Sequence, residues 1–207
     1  MIVNPEIERY IQALLPPRDE VLAEMEQFAR EHGVPIVGPA VGGFLAQLVM
    51  ASGARRIFEL GSAIGYSTIW LARAAGPNAE IHYSDGSPKN AERARDYLER
   101  AGIAARIQVH VGDALGALAQ TTGEFDFIFN DVDKEGYPEV LRQVPSRLRT
   151  GGLFVTDNTL WHGEVLDPQS KASLAVTEFN RLLFLSQYFH TCILPLRDGV
   201  TVSYRLP

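Results

Sequence analysis

Short apolar runs alternate with amphipathic segments along most of the chain after residue 55. Such alternation is typical of repeated β-α units around a largely parallel sheet. The runs predict seven strands, at residues 56–60, 80–84, 106–110, 125–130, 153–156, 191–196 and 200–205. The tripeptide from Arg197 to Gly199 carries an Asp-Gly turn signal, so the last two strands are predicted to form an antiparallel hairpin.

Helical periodicity accounts for much of the remaining pattern. Apolar positions at helical spacing predict three N-terminal helices, within residues 7–14, 21–28 and 43–51. A further amphipathic helix is predicted from Tyr137 to Leu148, where apolar residues recur every three or four positions. Ser87 followed by Pro88 predicts a capped helix start after the second strand.

These elements together predict an α/β fold in one domain, since 207 residues suit a single hydrophobic core. We expect a Rossmann-like, seven-stranded, mostly parallel sheet over residues 54–207, with helices on both faces and a C-terminal antiparallel hairpin. Residues 1–53 are expected to form an N-terminal helical extension.

Composition narrows the classes of function. The formal net charge of -6 and the pI of about 5.4 give no support to a nucleic-acid or anionic-membrane surface. The N-terminal stretch meets Pro5 and several charges before any apolar run, and no run approaches the roughly 18 residues of a membrane span, so we expect a soluble cytoplasmic protein. The single cysteine, Cys192, excludes a disulfide within the chain and is expected to be a buried hydrophobe.

A glycine loop follows the first predicted strand, in the stretch ELGSAIGYST. Gly61 and Gly65 allow the backbone to approach a nucleotide-like cofactor, but their spacing is that of neither a dinucleotide fingerprint nor a P-loop. Glu59 just before the loop disfavours phosphate and favours a cationic group. S-adenosylmethionine, with its sulfonium and ammonium, fits that preference. Within the loop, Ser67 is predicted either to contact the cofactor or to cap its helix, and Tyr66 either to line the cofactor or to pack.

Two further carboxylates follow predicted strands. Asp85, 24 residues after Gly61, stands where a ribose-binding carboxylate is expected, and we favour that role over an ordinary Asp-Gly turn. Asp113 is predicted either to contact adenine or to cap the next helix, with neither alternative preferred.

A third set of polar residues ends the fourth and fifth predicted strands. Asp131 and Asp157 are 26 positions apart, yet each follows a strand at the carboxyl edge of the sheet, where adjacent strands bring them together. With Asn158 they supply three oxygen ligands, which suit Mg²⁺ first and Mn²⁺ or Ca²⁺ as alternatives. Separate strand-end caps are the competing interpretation.

Lys134 lies within the same charged stretch and is the candidate base. A nearby cation lowers the pKa of a lysine and of a metal-chelating phenol, so the ion and the lysine can share the deprotonation. The alternative is a solvated lysine paired with Asp133 or Glu135.

The ordered motifs ELGSAIGYSTIWLA, VGDAL, DVDKEGYPEVL, LRTGGLFVTDNTLWHGEV and PLRDGVTVSYR cover most of residues 56–205. In this order they resemble the metal-dependent class I O-methyltransferases of the caffeoyl-CoA O-methyltransferase-like family, and more distantly catechol O-methyltransferase. The resemblance implies a homodimer that methylates a phenolic small molecule with adjacent hydroxyls on an aromatic ring. It implies Lys134 as catalytic base and Asp131, Asp157 and Asn158 as metal ligands. The cofactor-contacting residues predicted on this basis are Glu59, Gly61, Gly65, Ser67, Asp85, Asp113, Ala114 and Asp131.

Some positions depart from that family's usual pattern. Asn130 stands where an aliphatic residue commonly precedes the first metal aspartate, and it either adds a polar contact beside the ion or is satisfied by solvent. Trp161 and His162 follow the predicted metal pair and are candidates for an aromatic wall, with core packing of the tryptophan and exposure of the histidine as alternatives. An NAD-dependent oxidoreductase and a non-catalytic S-adenosylmethionine-binding module are the competing functional hypotheses.

Overall fold

The structure, a computed structural model, describes residues 2–207 and contains α-helices around one sheet. The helices are α1 (Pro5–Leu14), α2 (Glu20–His32), α3 (Gly38–Ser52), α4 (Tyr66–Ala75), α5 (Pro88–Arg100), α6 (Ala114–Gln120), α7 (Tyr137–Gln143) and α8 (Lys171–Leu185). The strands are β1 (Arg56–Leu60), β2 (Glu80–Asp85), β3 (Ile107–Val111), β4 (Phe125–Asn130), β5 (Leu148–Thr156), β6 (Phe189–Leu194) and β7 (Val200–Arg205). Over residues 2–207, no helix has both the length and the apolar character needed to cross a bilayer.

The seven strands form one sheet in the order β3-β2-β1-β4-β5-β7-β6. Strands β1 to β5 run parallel, whereas β7 is antiparallel to both β5 and β6. The predicted Rossmann-like sheet and its C-terminal hairpin are therefore confirmed. Strand order reverses between β1 and β4, and ligands of open α/β sheets bind outside the carboxyl ends of the strands at such a reversal.

The sheet is buried on both faces, which explains why its central strands read as continuous apolar runs. Ile57 of β1 packs into a cluster with α2, α3, α4 and α5, which includes Met25 and Leu45. Its neighbour Phe58 points to the opposite face and packs with α6, α7 and α8, where Phe179 is fully buried. Helices thus cover both faces, as predicted, and leave the strand ends free to carry polar groups.

The predicted helix over residues 137–148 is too long. Helix α7 ends at Gln143, a single 3-10 turn spans Val144–Ser146, and Leu148 already begins β5. Pro145 has no amide hydrogen to donate to the preceding turn, so the α-helix cannot continue through it. Leu148 nevertheless packs in the same apolar cluster as Val144, which explains why it matched the helical spacing.

Strands β5 and β6 have boundaries that differ from the prediction by two residues or more. Strand β5 begins at Leu148 rather than at residue 153, and it includes Gly151 at a φ of +78°. Strand β6 ends at Leu194 because Leu196 belongs to the hairpin turn, where its carbonyl accepts the Gly199 amide at 2.9 Å. A glycine inside a strand and an apolar residue inside a turn both lead to wrong boundaries when strands are predicted from the hydrophobic pattern alone.

The prediction that Cys192 is a buried hydrophobe is wrong. Strand β6 forms an edge of the sheet, and Cys192 is a free, exposed cysteine on it. An edge strand has a neighbour on one side only, so an apolar side chain there can remain open to solvent.

Candidate active site

A cavity of about 900 Å³ lies at the carboxyl edge of the sheet. Loops that follow β1 to β5 form its lining, together with the turn between β6 and β7 and the segment between α2 and α3. Of the predicted site residues, those that line it are Gly61, Asp85, Asp113, Ala114, Asp131, Lys134, Asp157 and Asn158. Glu59, Gly65 and Ser67 lie outside this lining.

Gly61 has a structural requirement of its own. Its φ is +81°, and a Cβ added to it would lie 2.4 Å from the carbonyl oxygen of Asp131. The Asp131 amide in turn donates to the carbonyl of Leu60 at 2.8 Å, which holds the ends of β1 and β4 together. The glycine therefore allows close approach of two segments of this chain, in addition to any approach to a ligand.

Gly65 is the residue that caps α4, with a φ of +85°, and a Cβ there would lie 3.3 Å from that of Ala94. The alternative that Ser67 caps this helix is therefore wrong, and Ser67 is buried in its first turn. Tyr66 packs in the core, and its hydroxyl donates to Glu26 at 2.8 Å.

Glu59 is fully buried at the centre of the sheet. The hydroxyl of Thr68 donates to it, and burial raises the pKa of the Glu59 carboxyl to about 7. A cationic group placed beside this carboxylate would stabilise its charged form.

Asp85 connects the loops that follow β1 and β2. One carboxylate oxygen accepts the Ala63 amide at 2.9 Å, and the other accepts the Ser87 amide at 2.9 Å and the Asn90 side-chain amide at 3.0 Å. The Asp85-Gly86 turn is therefore present in the structure, and Asp85 also lines the cavity. Asn90 lines the cavity too and was missed, although its position one turn into α5 directs it back towards the end of β2.

Asp113 caps α6, because its carboxylate oxygens accept the amides of Leu115 and Gly116 at 3.2 and 2.9 Å. The capping alternative is confirmed, and Asp113 and Ala114 both line the cavity.

Asp131 and Asp157 converge, as the strand-end argument predicts. Asn130 and Thr156 are paired residues in β4 and β5, so the aspartates that follow them emerge side by side. The Asp157 amide also donates to the carbonyl of Asn130 at 3.1 Å. Burial, with the charge of Asp131 as the second cause, raises the pKa of Asp157 to about 7. Two carboxylates that lie close together and are largely removed from water repel each other. A cation between them offsets that repulsion.

The donor set fits a hard divalent cation. Asp157 is 2% exposed, and its Oδ1 has no hydrogen-bond partner among residues 2–207. Asn158, in a left-handed conformation with a φ of +55°, lines the cavity beside it. No cluster of three or more His, Cys, Asp and Glu side chains arranged for a metal exists in the described part of the chain. The candidate set therefore consists of two carboxylates and one amide, which are ligands that Mg²⁺, Mn²⁺ and Ca²⁺ accept.

Lys134 is mostly buried, and its ammonium donates to Asp131 Oδ1 at 2.7 Å and to the Val132 carbonyl at 3.3 Å. The alternative, a solvated lysine paired with Asp133 or Glu135, is not what the structure shows. The Nζ atom also lies 5.7 Å from the ring centroid of Trp161. The Lys134 nitrogen is thus held between the Asp131 carboxylate and an aromatic face.

Asn130 is fully buried, and both atoms of its amide group lack a hydrogen-bond partner in the described chain. The alternative in which bulk solvent satisfies the Asn130 amide is therefore wrong. Trp161 and His162 both line the cavity, with the histidine side chain 68% exposed and the tryptophan partly buried.

The turn between β6 and β7 contributes residues that the sequence did not mark as functional. Arg197 lines the cavity and donates to the carbonyls of Ile36 and Val37, between α2 and α3. Asp198 is 8% exposed and accepts the His162 amide at 2.5 Å. The Asp-Gly signal predicted this turn but gave no sign of what it contacts.

Comparison with known proteins agrees with this architecture. Residues 16–206 match the sequence model of the O-methyltransferase family. The chain is 36% identical over 185 residues to a catechol O-methyltransferase of Niastella koreensis, covering 86% of this chain and 84% of that protein. It is 30% identical over 210 residues to caffeoyl-CoA O-methyltransferase 2 of Petunia hybrida, covering 94% of this chain and 87% of that protein.

Among solved structures, an O-methyltransferase from Bacillus cereus in complex with SAH superposes with a TM-score of 0.89. The two are 32% identical, and the match covers 97% of each chain. SAH is what S-adenosylmethionine becomes once its methyl group has been transferred. A match over nearly the whole chain, with this fold and a cavity at the strand reversal, shows that the chain belongs to the O-methyltransferase family and is a methyltransferase that uses S-adenosylmethionine.

Proposed function

We propose that this protein methylates one hydroxyl of a vicinal dihydroxy aromatic molecule, with a divalent cation held by Asp131, Asp157 and Asn158. The observation that carries the proposal is the convergence of two carboxylates and Lys134 on the floor of one cavity. The names of the catechol and caffeoyl-CoA O-methyltransferase relatives support an acceptor with adjacent ring hydroxyls.

The donor is proposed to lie along the loops after β1, β2 and β3, where Gly61, Asp85 and Asp113 line the cavity. Bound there, S-adenosylmethionine supplies a methyl group on a sulfonium sulfur that leaves as a neutral thioether. The Asp85 oxygens already accept three donors from the chain, but each carboxylate oxygen has further lone-pair capacity for a ribose hydroxyl. Asp113 keeps its capping role and adds polarity at the adenine end.

The cation is proposed to sit at the other end of the cavity. When bound, it would supply positive charge that makes a nearby acceptor hydroxyl easier to deprotonate. Asp157 offers an oxygen with no partner in residues 2–207, and Asp131 offers the oxygen that Lys134 does not occupy. Mg²⁺ is our first choice, with Mn²⁺ or Ca²⁺ as alternatives.

Lys134 is proposed to take the proton of the acceptor hydroxyl at its Nζ atom. Its ion pair with Asp131 and its contact with the Val132 carbonyl fix that atom beside the carboxylates. Only the neutral amine form of this side chain is able to accept a proton. The face of Trp161 near Nζ orients a planar acceptor, and orientation of two reactants contributes on the order of 7 to 11 kcal/mol in favourable cases.

The test is methyl transfer to 3,4-dihydroxycinnamate by metal-stripped enzyme in EDTA and after Mg²⁺ is restored. We expect turnover only with the ion, and undiminished turnover in EDTA would refute the metal requirement. Asp131→Ala should abolish turnover while S-adenosylmethionine binding stays measurable by calorimetry. Asp167→Asn, a change at an exposed carboxylate, is the control. Failure to methylate any compound in a panel of vicinal diols would refute the acceptor class.

A further inference from the structure

The segment that follows β5 has an unusual backbone. Trp161 and His162, two consecutive residues with large side chains, have φ values of +41° and +55°, and Gly163 follows at +87°. Residues other than glycine rarely adopt this left-handed region, and bulky residues do so only where the surroundings hold them there. The segment therefore needs a partner that stabilises it.

Asp198, in the turn between β6 and β7, is that partner. Its side-chain Oδ1 accepts the His162 amide at 2.5 Å and lies 3.4 Å from His162 Nδ1. Its backbone carbonyl accepts the Leu160 amide at 2.9 Å. Because Asp198 is only 8% exposed, these bonds are shielded from competing water.

The residue after Asp198 brings the two segments into direct contact. The carbonyl of Gly199 accepts the Thr159 amide at 3.0 Å, and the φ of Gly199 is +87°. A Cβ at Gly199 would lie 2.5 Å from Leu160 Cγ, so no larger residue fits. The turn thus packs tightly against the left-handed segment, while Asp198 bonds it at two positions.

The held segment forms one wall of the cavity. Trp161 and His162 both line it, and the Trp161 ring centroid lies 5.7 Å from Lys134 Nζ. We infer that Asp198 is a positioning residue, which fixes the left-handed backbone at His162 and thereby sets Trp161 in place for the acceptor. The inference rests on the proposed function in one respect, namely that the acceptor occupies this end of the cavity.

The kinetic test uses substitutions that separate the hydrogen bond from the strain. Asp198→Ala removes the acceptor oxygen and should raise the KM for 3,4-dihydroxycinnamate about tenfold, with a smaller change in kcat and none in S-adenosylmethionine affinity. Asp198→Asn keeps an oxygen at the same place and should restore the KM to within about twofold of wild type. In the Asp198→Ala background, His162→Gly should recover the low KM because glycine tolerates a positive φ. His162→Ala in that background is the matched control and should not recover it.

A second readout needs no acceptor. The chain has two tryptophans, so in a Trp70→Phe background the fluorescence reports Trp161 alone. Asp198→Ala should increase acrylamide quenching of Trp161, and both Asp198→Asn and the added His162→Gly should reverse the increase. Circular dichroism verifies the fold of each variant. If Asp198→Ala does not fold, Asp198→Ser, whose shorter side chain does not reach the His162 amide, takes its place.

The outcomes are distinct. If the wild type methylates no vicinal diol, the proposed function fails, and the quenching series still decides the role of Asp198. Unchanged quenching of Trp161 in Asp198→Ala overturns the inference, as does an unchanged KM. Equal rescue by His162→Gly and His162→Ala would show that backbone strain is not what Asp198 opposes. Weakened Mg²⁺ binding in Asp198→Ala, measured by calorimetry, would place this carboxylate with the ion instead and also overturn the inference.

Discussion

Replacing Asp157 by asparagine removes a charge that the folded protein buries at the cavity floor. Burial and the Asp131 charge raise the pKa of Asp157 from 3.8 to about 7. The folded state therefore binds a proton at this position more tightly than the unfolded state does. The stability that this proton contributes is full below about pH 4 and is lost as the pH rises to about 7. Above pH 7 the metal-free protein carries the whole penalty of the buried charge.

The size of that penalty follows from the same rise in the pKa of Asp157. About 3 pH units at about 1.4 kcal/mol each give about 4 kcal/mol. We expect metal-free Asp157→Asn to be more stable than wild type by about 2–4 kcal/mol at pH 8, and by less than half as much at pH 5. Urea denaturation in EDTA at both pH values measures the difference, with Asp167→Asn as the control at an exposed carboxylate.

Added Mg²⁺ should reverse the order, because an ion that binds only the folded wild type stabilises it by mass action. A variant that is no more stable than wild type at pH 8 in EDTA would refute the reasoning. An advantage of the same size at pH 5 and pH 8 would refute it as well, since the argument depends on ionisation.

Three further predictions concern other parts of the molecule. Glu59→Gln should weaken S-adenosylmethionine binding at least about tenfold if the Glu59 carboxylate pairs with the ammonium of the cofactor. The affinity of the wild type should also fall as the pH drops below about 7, because Glu59 then gains a proton. Calorimetry at pH 6 and pH 8 measures both effects. Gly61→Ala should lower the free energy of unfolding by more than about 2 kcal/mol, because the added Cβ would clash with the Asp131 carbonyl. Gly33 also has a positive φ but has open space around it, so Gly33→Ala should lower the free energy of unfolding by only about 1 kcal/mol. Cys192 should react with a disulfide thiol reagent at one equivalent in the native protein; protection until denaturation would contradict its exposed position.

Much of the fold could be predicted because the central strands are covered on both faces. Ile57 and Phe58 serve opposite faces of the sheet, so the strand appears in the sequence as an unbroken apolar run. The convergence of Asp131 and Asp157 followed from the same logic, since both continue parallel strands that pair in the sheet. The topology of the sheet determines which strands end at the same edge, and the alternation of strands and helices in the sequence predicted that topology.

What could not be predicted depends on contacts between segments that sequence patterns do not connect. The exposure of Cys192 follows from the strand order, which places β6 at an edge. Leu148 matched a helical spacing because the strand it begins packs beside the helix, and only Pro145 marked the break. The role of Asp198 depends on left-handed backbone at His162, which no spacing rule for apolar residues reveals.

The contact of Arg197 with the carbonyl of Ile36 joins residues 161 positions apart. A contact of such long range closes a loop that includes most of the chain, and its entropic cost falls once other elements have brought the two ends close together. During synthesis from the N-terminus, this wall of the cavity cannot close until the C-terminal hairpin has left the ribosome. Nascent chains that end before Arg197 are therefore expected to have a formed sheet centre but an open site, because the turn at Arg197 completes a pocket whose floor, at Asp131 and Asp157, was synthesised 40 or more residues earlier.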